Sequence, residues 1–546
     1  MDKYLSARSA LITEERKSRR DTIRIANASE EELQAEQIVR NLRKSETASI
    51  WSTEHEGIGN VFPGMEFLTA RAVITKTRLF QLLCKMPKGA LLHSHLDAMV
   101  NANYLINLAL EQPAMHVRVN TRLTEESLGS VHPEFRPLTP HEYTNIKSLT
   151  SDKYELGAWV PIRSARAHFA TSLGGPEGFD QWVFNALTIN PTEAYVTHNT
   201  VKKIWNKFRT TFMVSTPLIR FVPIWSNYIR EFFRTLIEDG VSYVEPRVNF
   251  WHKFMVGEDG EENVPHRQWI ILFGQVLDEI KTQMKTQGKT DEFIGARIIY
   301  STIRNVTCEE LEWYLEDCIS LKLEFPHLIA GFDLVGDENV LQPLIYYIRP
   351  LLRFQERQKE LGIDIPFIFH AGETLGDGDA PDMNLFDAIL LGSKRIGHGF
   401  SLAKHPKLIE ICKERGVTVE VCPISNEILR LSSSMPAHPL PVLLNNGVPV
   451  ALCSDDPSVF GNMGLSYDFF QVSFDFYVLV ASEVTGLITL GDIARQSIES
   501  STLDETEKAQ ALFSWGRKWD AFVKSIADGS TGIEREIAST DGFPII

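Results

Sequence analysis

Short apolar runs that end in polar residues recur along the chain and predict β-strands. Each run holds four to eight residues, and several of them close on a His or an Asp. The eight candidate strands are residues 90–96, 243–250, 296–302, 329–335, 367–370, 395–398, 418–422 and 449–454.

From the second candidate strand onward, stretches rich in helix formers separate the strands, for example residues 276–284, 344–361 and 407–415. Parallel strands need such crossover helices, and eight alternating units favour a closed barrel over an open doubly wound sheet. We therefore predict an α/β fold, a (β/α)₈ TIM-type barrel with an N-terminal helical extension and a long insertion after the first barrel strand.

Two parts of the chain interrupt this alternation. Residues 1–85 carry apolar positions at helical spacing among charges and predict the helical extension. The first two strands lie about 145 residues apart, more than one crossover helix requires. We expect one barrel domain over residues 86–546, with an irregular inserted subdomain at about residues 110–200 and closing helices over residues 490–527.

Charge and composition exclude several classes of function. The formal net charge of −16 argues against a broad basic surface, so we expect neither nucleic acid nor membrane as a partner. The first thirty residues hold many basic side chains and no sustained apolar core, so we expect no secretory signal and a cytoplasmic protein. The six cysteines lie far apart and are expected to be reduced.

The first candidate strand carries a histidine pair. His93 and His95 stand two residues apart, so their side chains leave the same face and can converge on one ion. Alone, such a pair also fits one core and one surface histidine. Its place at the end of a strand, with Asp97 next in the loop, favours a metal site.

Titratable residues also close three of the later strands. His370 ends the fifth, and Glu373 follows as a candidate proton carrier, although it also fits a carboxylate at a helix N-terminus. His398 ends the sixth between two glycines. Asp455 and Asp456 follow the eighth, and adjacent carboxylates repel unless they share a cation or a proton.

All these candidates fall at the same end of different predicted strands, where a barrel gathers its site. Three histidines and one aspartate suit Zn²⁺, which binds imidazole and carboxylate and keeps a position for water. Fe²⁺ and Mn²⁺ use the same ligand types. The pattern predicts a metal-dependent hydrolase.

Five ordered motifs resemble those of the adenosine/AMP deaminase family. They are HSHLD at residues 93–97, GFDLVGDE at 331–338, HAGET at 370–374, GHG at 397–399 and SDDP at 454–457. The extra helices, the insertion, IWNKF at 204–208 and YVEPR at 243–247 look most like the adenosine deaminase-related growth factor branch. The similarity spans about residues 86–520.

The resemblance implies a role for each candidate residue. One Zn²⁺ per chain would be held by His93, His95, His370 and Asp455, and would lower the pKa of a water molecule. Glu373 would protonate N1 of a purine, and Asp456 would bind N7. His398 would orient and deprotonate the water and stabilise the developing charge.

Three further residues would contact the substrate by the same resemblance. Gly336 would offer its N–H to N3 of the base, Asp97 would meet the ribose, and Trp205 would lie near the sugar. Trp205 equally fits a buried core position on an apolar helix face. Glu245 and Arg247 fit a buried ion pair outside the site.

The implied reaction is hydrolytic deamination of adenosine or 2′-deoxyadenosine to inosine or 2′-deoxyinosine, with release of ammonia. An adenosine phosphate (AMP, ADP or ATP) is an alternative substrate, which would need cations at the ribose end of the pocket. Candidate cations are Arg163, Arg166, Lys202 and Lys203. An amidohydrolase of non-purine amides and a growth-factor-like binding protein with incidental catalysis are two further hypotheses for the same residues.

The chain departs from the branch in two features. Well-known members are secreted and carry a disulfide in the insertion, whereas this chain has no Cys between Cys84 and Cys308. The N-terminal helices mediate dimerisation in that branch. Mutual burial of the face formed by Ile38, Val39 and Leu42 would give a homodimer here.

Overall fold

A computed structural model describes residues 1–475 and 486–530 of the chain, and most of its strands lie in parallel sheets. Within these residues the strands are β1 Gly89–Leu91, β2 Met115–Arg118, β3 Glu134–Pro137, β4 Val160–Pro161, β5 Val241–Val244, β6 Arg247–Asn249, β7 Phe254–Val256, β8 Glu262–Pro265, β9 Gly295–Ala296, β10 Ile298–Ile303, β11 Ile329–Val335, β12 Ile368–Ala371, β13 Arg395–His398, β14 Thr418–Val421 and β15 Val450–Leu452.

Three sets of strands pair in parallel, in the orders β1-β5-β9, β11-β10-β6 and β12-β13-β14-β15. Isolated parallel bridges join Phe332 to Phe367 and Ser94 to Asp455. The paired residues of β11 to β15 are buried throughout, which explains their nearly continuous apolar runs. The fold is therefore α/β with parallel sheets.

The observed strands follow the predicted ones with shifts of a few residues, and β11 and β13 have the predicted bounds. The predicted strand over residues 243–250 is divided, because β5 ends at Val244 and β6 begins at Arg247. Pro246 lies in the gap and has no N–H to donate to a ladder. The predicted strand over residues 90–96 ends early, at Leu91, so His93 and His95 lie in the segment beyond it.

Helices cover most of the intervals between these strands. Within the described residues they are α1 Asp2–Arg16, α2 Thr22–Ala26, α3 Glu30–Ser49, α4 Phe67–Ile74, α5 Arg78–Leu83, α6 Ala102–Glu111, α7 Ile162–Ala167, α8 Gly175–Leu187, α9 Val201–Ile219, α10 Val222–Glu238, α11 His266–Thr286, α12 Cys308–Glu324, α13 Ile348–Leu361, α14 Ala380–Leu390, α15 Pro406–Arg415, α16 Pro423–Ile428, α17 Leu440–Asn445, α18 Pro457–Phe460, α19 Ser466–Asp475, α20 Leu487–Glu499 and α21 Glu505–Ala527. No helix among these residues is long and apolar enough to cross a bilayer.

Helix α3 packs against the C-terminal helices of its own chain. Glu32 accepts a hydrogen bond from the Trp519 indole at 2.7 Å, and Glu36 accepts one from the Ile488 N–H at 3.1 Å. Val39 and Leu42 are 3% and 2% exposed. Val39 and Leu42 are therefore already buried within one chain and are not free to pair with a second copy, while a homodimer through the N-terminal helices stays a prediction.

The long interval after β1 is more regular than its sequence indicated. Strand β2 pairs antiparallel with β3 and β4, helix α7 packs against β2 and β4, and α8 packs against α7. A π-helical turn at Glu193–Thr197 precedes α9. Prolines and glycines in this region mark the boundaries of short elements, and they do not prevent a small sheet from forming.

Candidate active site

Backbone pairing brings Asp455 next to the two histidines that follow β1. The Asp455 N–H donates to the His93 carbonyl at 3.2 Å, and the His95 N–H donates to the Asp455 carbonyl at 3.1 Å. The Oδ1 atom of Asp455 consequently lies 3.2 Å from Nε2 of His93 and 3.3 Å from Nε2 of His95. Residues more than 350 positions apart in sequence are thus fixed together by main-chain bonds.

The four predicted metal ligands lie in one cluster. Ligand atoms of His93, His95, His370 and Asp455 are all within 4.8 Å of one another. Among the described residues, His93 Nε2 and Asp455 Oδ1 are buried and have no hydrogen-bond partner of suitable geometry. Buried polar atoms rarely stay unsatisfied, and three imidazoles with one carboxylate form a donor set that suits a divalent metal ion. The residues present therefore fit the predicted metal.

Two buried carboxylates orient the imidazoles of this cluster. Nδ1 of His93 lies 2.8 Å from Glu420, and Nδ1 of His370 lies 2.6 Å from Asp333. Arg247 donates to both carboxylates, at 2.8 and 2.7 Å. Burial raises the pKa of Glu420 and Asp333, but the cationic and imidazole neighbours outweigh it and hold both pKa values below the usual range. Ionised carboxylates accept the Nδ1–H atoms, which leaves each Nε2 lone pair for a metal.

This supporting layer was missed or misassigned in the sequence. Arg247 does not pair with Glu245. Glu245 accepts from Arg395 at 2.6 Å, whereas Arg247 donates to Asp333 beside the cluster. Glu420 had a visible signal: it is the lone charge in the apolar strand β14. A fully buried carboxylate within a strand requires a charged partner, and this rule would have singled it out.

Glu373 lies in the loop after β12, in a setting that favours its protonated form. Its side chain is 3% exposed, and Oε1 lies 3.6 Å from Nδ1 of His398. Burial raises the pKa of Glu373 well above its usual value, and the carboxylates of Asp455 and Glu338 raise it further. Its own N–H donates to Glu338 at 2.9 Å, which fixes the loop. A buried protonated carboxyl is suited to proton donation.

Two residues of the site adopt left-handed backbone conformations. His398 has φ 59° and Asp455 has φ 60°, values that residues other than glycine adopt uncommonly. Such strain is retained where the surroundings impose it, often at functional sites. At neighbouring Gly397, a Cβ atom would lie 2.8 Å from Cε1 of His93. Only glycine leaves that imidazole in place.

His398 and Asp456 complete the inner group. Nε2 of His398 lies 3.7 Å from Oδ2 of Asp455, and burial lowers the pKa of His398 well below its usual value. Asp456 is 1% exposed, and its Oδ1 has no hydrogen-bond partner among the described residues. Burial, followed by the neighbouring charge of Asp455, raises the pKa of Asp456. A protonated Asp456 can donate to a ring nitrogen.

The three remaining predicted residues lie around this group. Asp97 belongs to the turn Leu96–Ala98, and burial raises its pKa to about 7. Gly336 directly follows β11 with φ 108°, a conformation that favours glycine. Trp205 is 8% exposed and packs edge-on against Phe208. Within residues 1–475 and 486–530, no hydrogen bond or ion pair joins Gly336 or Trp205 to the cluster.

Trp205 therefore occupies a core position, with one link toward the site. Phe208 stacks on Phe460, which ends the short helix α18 that follows Asp456. The indole Nε1 of Trp205 is buried and has no hydrogen-bond partner among the described residues. A buried indole N–H usually finds an acceptor, so a contact with a substrate stays a prediction for this residue.

Comparisons with known proteins agree with this geometry. The sequence model described as adenosine deaminase matches residues 186–514. Adenosine deaminase 2-A of Danio rerio is 33% identical over 465 residues, which cover 85% of this chain and 85% of that protein. Adenosine deaminase 2 of Homo sapiens is 32% identical over 469 residues, covering 85% of this chain and 84% of that protein.

Solved structures share the fold at low sequence identity. Arabidopsis ADAL complexed with GMP superimposes with a TM-score of 0.52 and 16% identity, covering 80% of this chain and 98% of that one. An amidohydrolase of Burkholderia ambifaria with bound Zn superimposes with a TM-score of 0.50 and 16% identity, covering 82% of this chain and 94% of that one. The ordered motifs, the clustered side chains and the relatives agree, and this chain belongs to the adenosine deaminase family.

Proposed function

We propose that this protein catalyses the hydrolytic deamination of adenosine or 2′-deoxyadenosine to the corresponding inosine and ammonia. The observation that carries the proposal is the convergence of three imidazoles and Asp455 beside two buried proton carriers, Glu373 and His398. Relatives that are about as long as this chain and more than 30% identical are named adenosine deaminase or adenosine deaminase 2. Similarity over so much of both chains supports a shared reaction.

Zinc is the proposed metal, held by His93, His95, His370 and Asp455. Bound there, it would supply Lewis acidity that brings the pKa of water toward neutrality. Two observations support zinc: the ligand set and the Zn bound in the Burkholderia amidohydrolase of the same fold. We also propose that the parallel pairings close into one eight-stranded (β/α)₈ barrel, since bridges at Phe332 and Ser94 link the separate sheets.

The chain's own residues would share the remaining chemistry. Glu373 would hold a proton for N1 of the purine, which makes C6 more electrophilic. Asp456 would donate to N7 and fix the orientation of the base. His398 would orient the attacking water and stabilise charge that develops on its oxygen. Among the described residues, Asp456 Oδ1 is a buried atom without a hydrogen-bond partner, which leaves it for the base.

An ammonia-release assay over a panel of substrates tests the proposed function. We expect the zinc-loaded protein to deaminate adenosine and 2′-deoxyadenosine at rates typical of enzymes, on the order of 1–1000 s⁻¹. Adenine, guanosine and asparagine serve as controls for base, nucleoside and amide hydrolysis. Metal content is measured in the same samples. Zinc-loaded protein that releases no ammonia from any 6-aminopurine would contradict the proposal and revive a binding function.

A second candidate function, deamination of an adenosine phosphate, is favoured by one observation. Arg220 is 9% exposed and donates to the Phe254 carbonyl, while its Nε has no hydrogen-bond partner among the described residues. Those residues place no carboxylate within 4.0 Å of it, whereas buried Arg247 and Arg395 each contact two. A buried unpaired cation is unfavourable without an anion. Arg220 lies within electrostatic range of Glu262 and, more weakly, of Asp97, the proposed ribose contact.

The cations named from the sequence do not fit a phosphate as well. Arg163 donates to the Glu111 carbonyl, and Arg166 pairs with Asp180 at 2.7 Å. Lys202 and Lys203 are exposed on α9. Arg220 is therefore the better candidate.

Changing Arg220 to Gln tests this second function. If Arg220 holds a 5′-phosphate, kcat/KM for AMP should fall about 10- to 100-fold, the range for losing a charged hydrogen bond. For adenosine it should change less than about threefold, since no phosphate is lost. Arg166→Gln is the matched control. Equal losses for both substrates, or no turnover of AMP by the unmodified protein, would exclude the phosphate site and leave adenosine deamination standing.

A further inference from the structure

A directional hydrogen-bond chain reaches His398 from the start of α17. The Leu440 N–H donates to Nδ1 of His438 at 3.0 Å, so this nitrogen is an acceptor. His438 is buried, and burial lowers its pKa to about 3, which keeps the ring neutral near pH 7. A neutral imidazole that accepts at Nδ1 carries its hydrogen on Nε2. Nε2 of His438 is therefore a donor.

The next residue in this series of hydrogen bonds is Asn426, and the orientation of its side-chain amide follows from His438. The Asn426 oxygen Oδ1 lies 3.0 Å from Nε2 of His438 and must accept its hydrogen. The amide nitrogen Nδ2 then faces Nδ1 of His398 at 3.2 Å. An amide nitrogen only donates, so Nδ1 of His398 is an acceptor. The alternative flip of Asn426 would place two donors opposite each other at His438.

We propose that Asn426 and His438 are positioning residues that hold neutral His398 with its hydrogen on Nε2. In this tautomer Nε2–H points toward Asp455, whose Oδ2 lies 3.7 Å away. Glu373 does not compete for Nδ1, because its Oε1 lies 3.6 Å away, beyond hydrogen-bond distance. The inference rests on the proposed deaminase function only for its kinetic consequences, since the tautomer is a property of the folded chain.

This tautomer changes the role expected for His398. A neutral histidine that already carries Nε2–H cannot remove a proton from water at that atom. It can donate a hydrogen bond to the attacking oxygen and to the charge that develops there. Accepting a proton at Nδ1 instead would set that hydrogen against the amide of Asn426. His398 is therefore a hydrogen-bond donor to the reacting atoms.

Nitrogen NMR on protein labelled with ¹⁵N-histidine measures the tautomer directly. The His398 signals are identified by their loss in His398→Gln, in metal-free and in zinc-loaded samples. We expect a hydrogen on Nε2 and none on Nδ1 in both samples. A hydrogen on Nδ1 of His398 in the unmodified protein would overturn the proposal. This measurement needs no activity, so it remains decisive even if the proposed function fails.

Kinetics of an isosteric variant test the consequence. In Asn426→Asp, the carboxylate accepts from both histidines and moves the His398 hydrogen to Nδ1. We expect kcat to fall at least about 100-fold, the lower range for a misplaced proton carrier, with KM and zinc content little changed. His438→Gln can still donate to Asn426 and should keep most activity, while His438→Leu should not. Asn426→Asp activity within about threefold of the unmodified protein would contradict the proposal.

A double-variant cycle separates positioning from general support of the fold. If Asn426 acts through His398, adding Asn426→Asp to His398→Gln should lower residual kcat by less than about threefold. Multiplicative losses would show an independent structural effect and count against the proposal. His116→Leu is the control for loss of stability alone, because it alters a buried histidine in β2 that takes no part in this hydrogen-bond network.

Discussion

Replacing Glu373 with Gln should abolish deamination and leave the metal bound. The Gln amide has the same shape as the Glu carboxyl, and Glu373 is not one of the four residues of the metal cluster. The cluster should therefore stay intact. Gln cannot deliver a proton to N1, and loss of a positioned general acid lowers the rate by about 10²–10⁴-fold. We expect a fall in kcat of at least about 1000-fold, measured as ammonia release with zinc content determined on the same sample.

The pKa of Glu373 predicts a pH profile that accompanies this loss. Burial and neighbouring carboxylates raise its pKa, so the proton needed by the purine is retained to higher pH than on an ordinary carboxyl group. The activity of the unmodified protein should therefore hold at lower pH and decline as pH rises through the pKa of the folded state. A raised pKa in the folded state also means that ionisation opposes folding above the unfolded pKa. Glu373→Gln should consequently not lower the melting temperature.

A matched control is available in α3. Glu46 is a buried carboxyl that accepts from the Leu79 N–H, and burial raises its pKa to about 7. It lies outside the cluster, so Glu46→Gln should keep near-normal kcat. Near-normal activity in Glu373→Gln, or a similar loss in both variants, would contradict the proton-donor role.

Periodicity and strand-end residues predicted much of the parallel fold, for a physical reason. Strands buried on both faces must be apolar, so the polar residues His370, His398 and Asp455 stand out where each run ends. The bounds of β11 and β13 match the predicted ones. The division at Pro246 was missed although a proline within a strand run is a signal that the sequence shows.

Tertiary partners were beyond the reach of the sequence. Glu420 supports His93 across 327 sequence positions, and no local pattern encodes that distance. The apolar face of α3 looked free because its partner, α21, lies at the other end of the chain. Arg220 was overlooked for a similar reason, because only the fold shows that none of the described carboxylates contacts it. Local sequence patterns identify residues that can carry chemistry, whereas the fold is needed to show which residues contact one another.

Replacing His95 with Ala should remove metal and activity together. His95 supplies one of three imidazoles, and its Nε2 lies 3.3 Å from Asp455 Oδ1. Mutation of outer partners of metal ligands already weakens binding or activity about 10- to 100-fold, and loss of a direct ligand should exceed that range. After dialysis, we expect zinc well below one equivalent and activity below about 1% of the unmodified protein. His116 is a buried histidine outside the cluster, so His116→Ala should retain both zinc and activity.

The two variants should differ in their response to added zinc, and that difference separates metal binding from proton transfer. Ligand binding to the folded state stabilises it by mass action, so zinc should raise the melting temperature of the unmodified protein and of Glu373→Gln. In His95→Ala the rise should appear only at much higher zinc, with partial recovery of activity. Glu373→Gln should stay inactive at every zinc concentration. If His95→Ala instead kept one equivalent of zinc after dialysis, His95 would not be a ligand and the assignment of the cluster would be wrong.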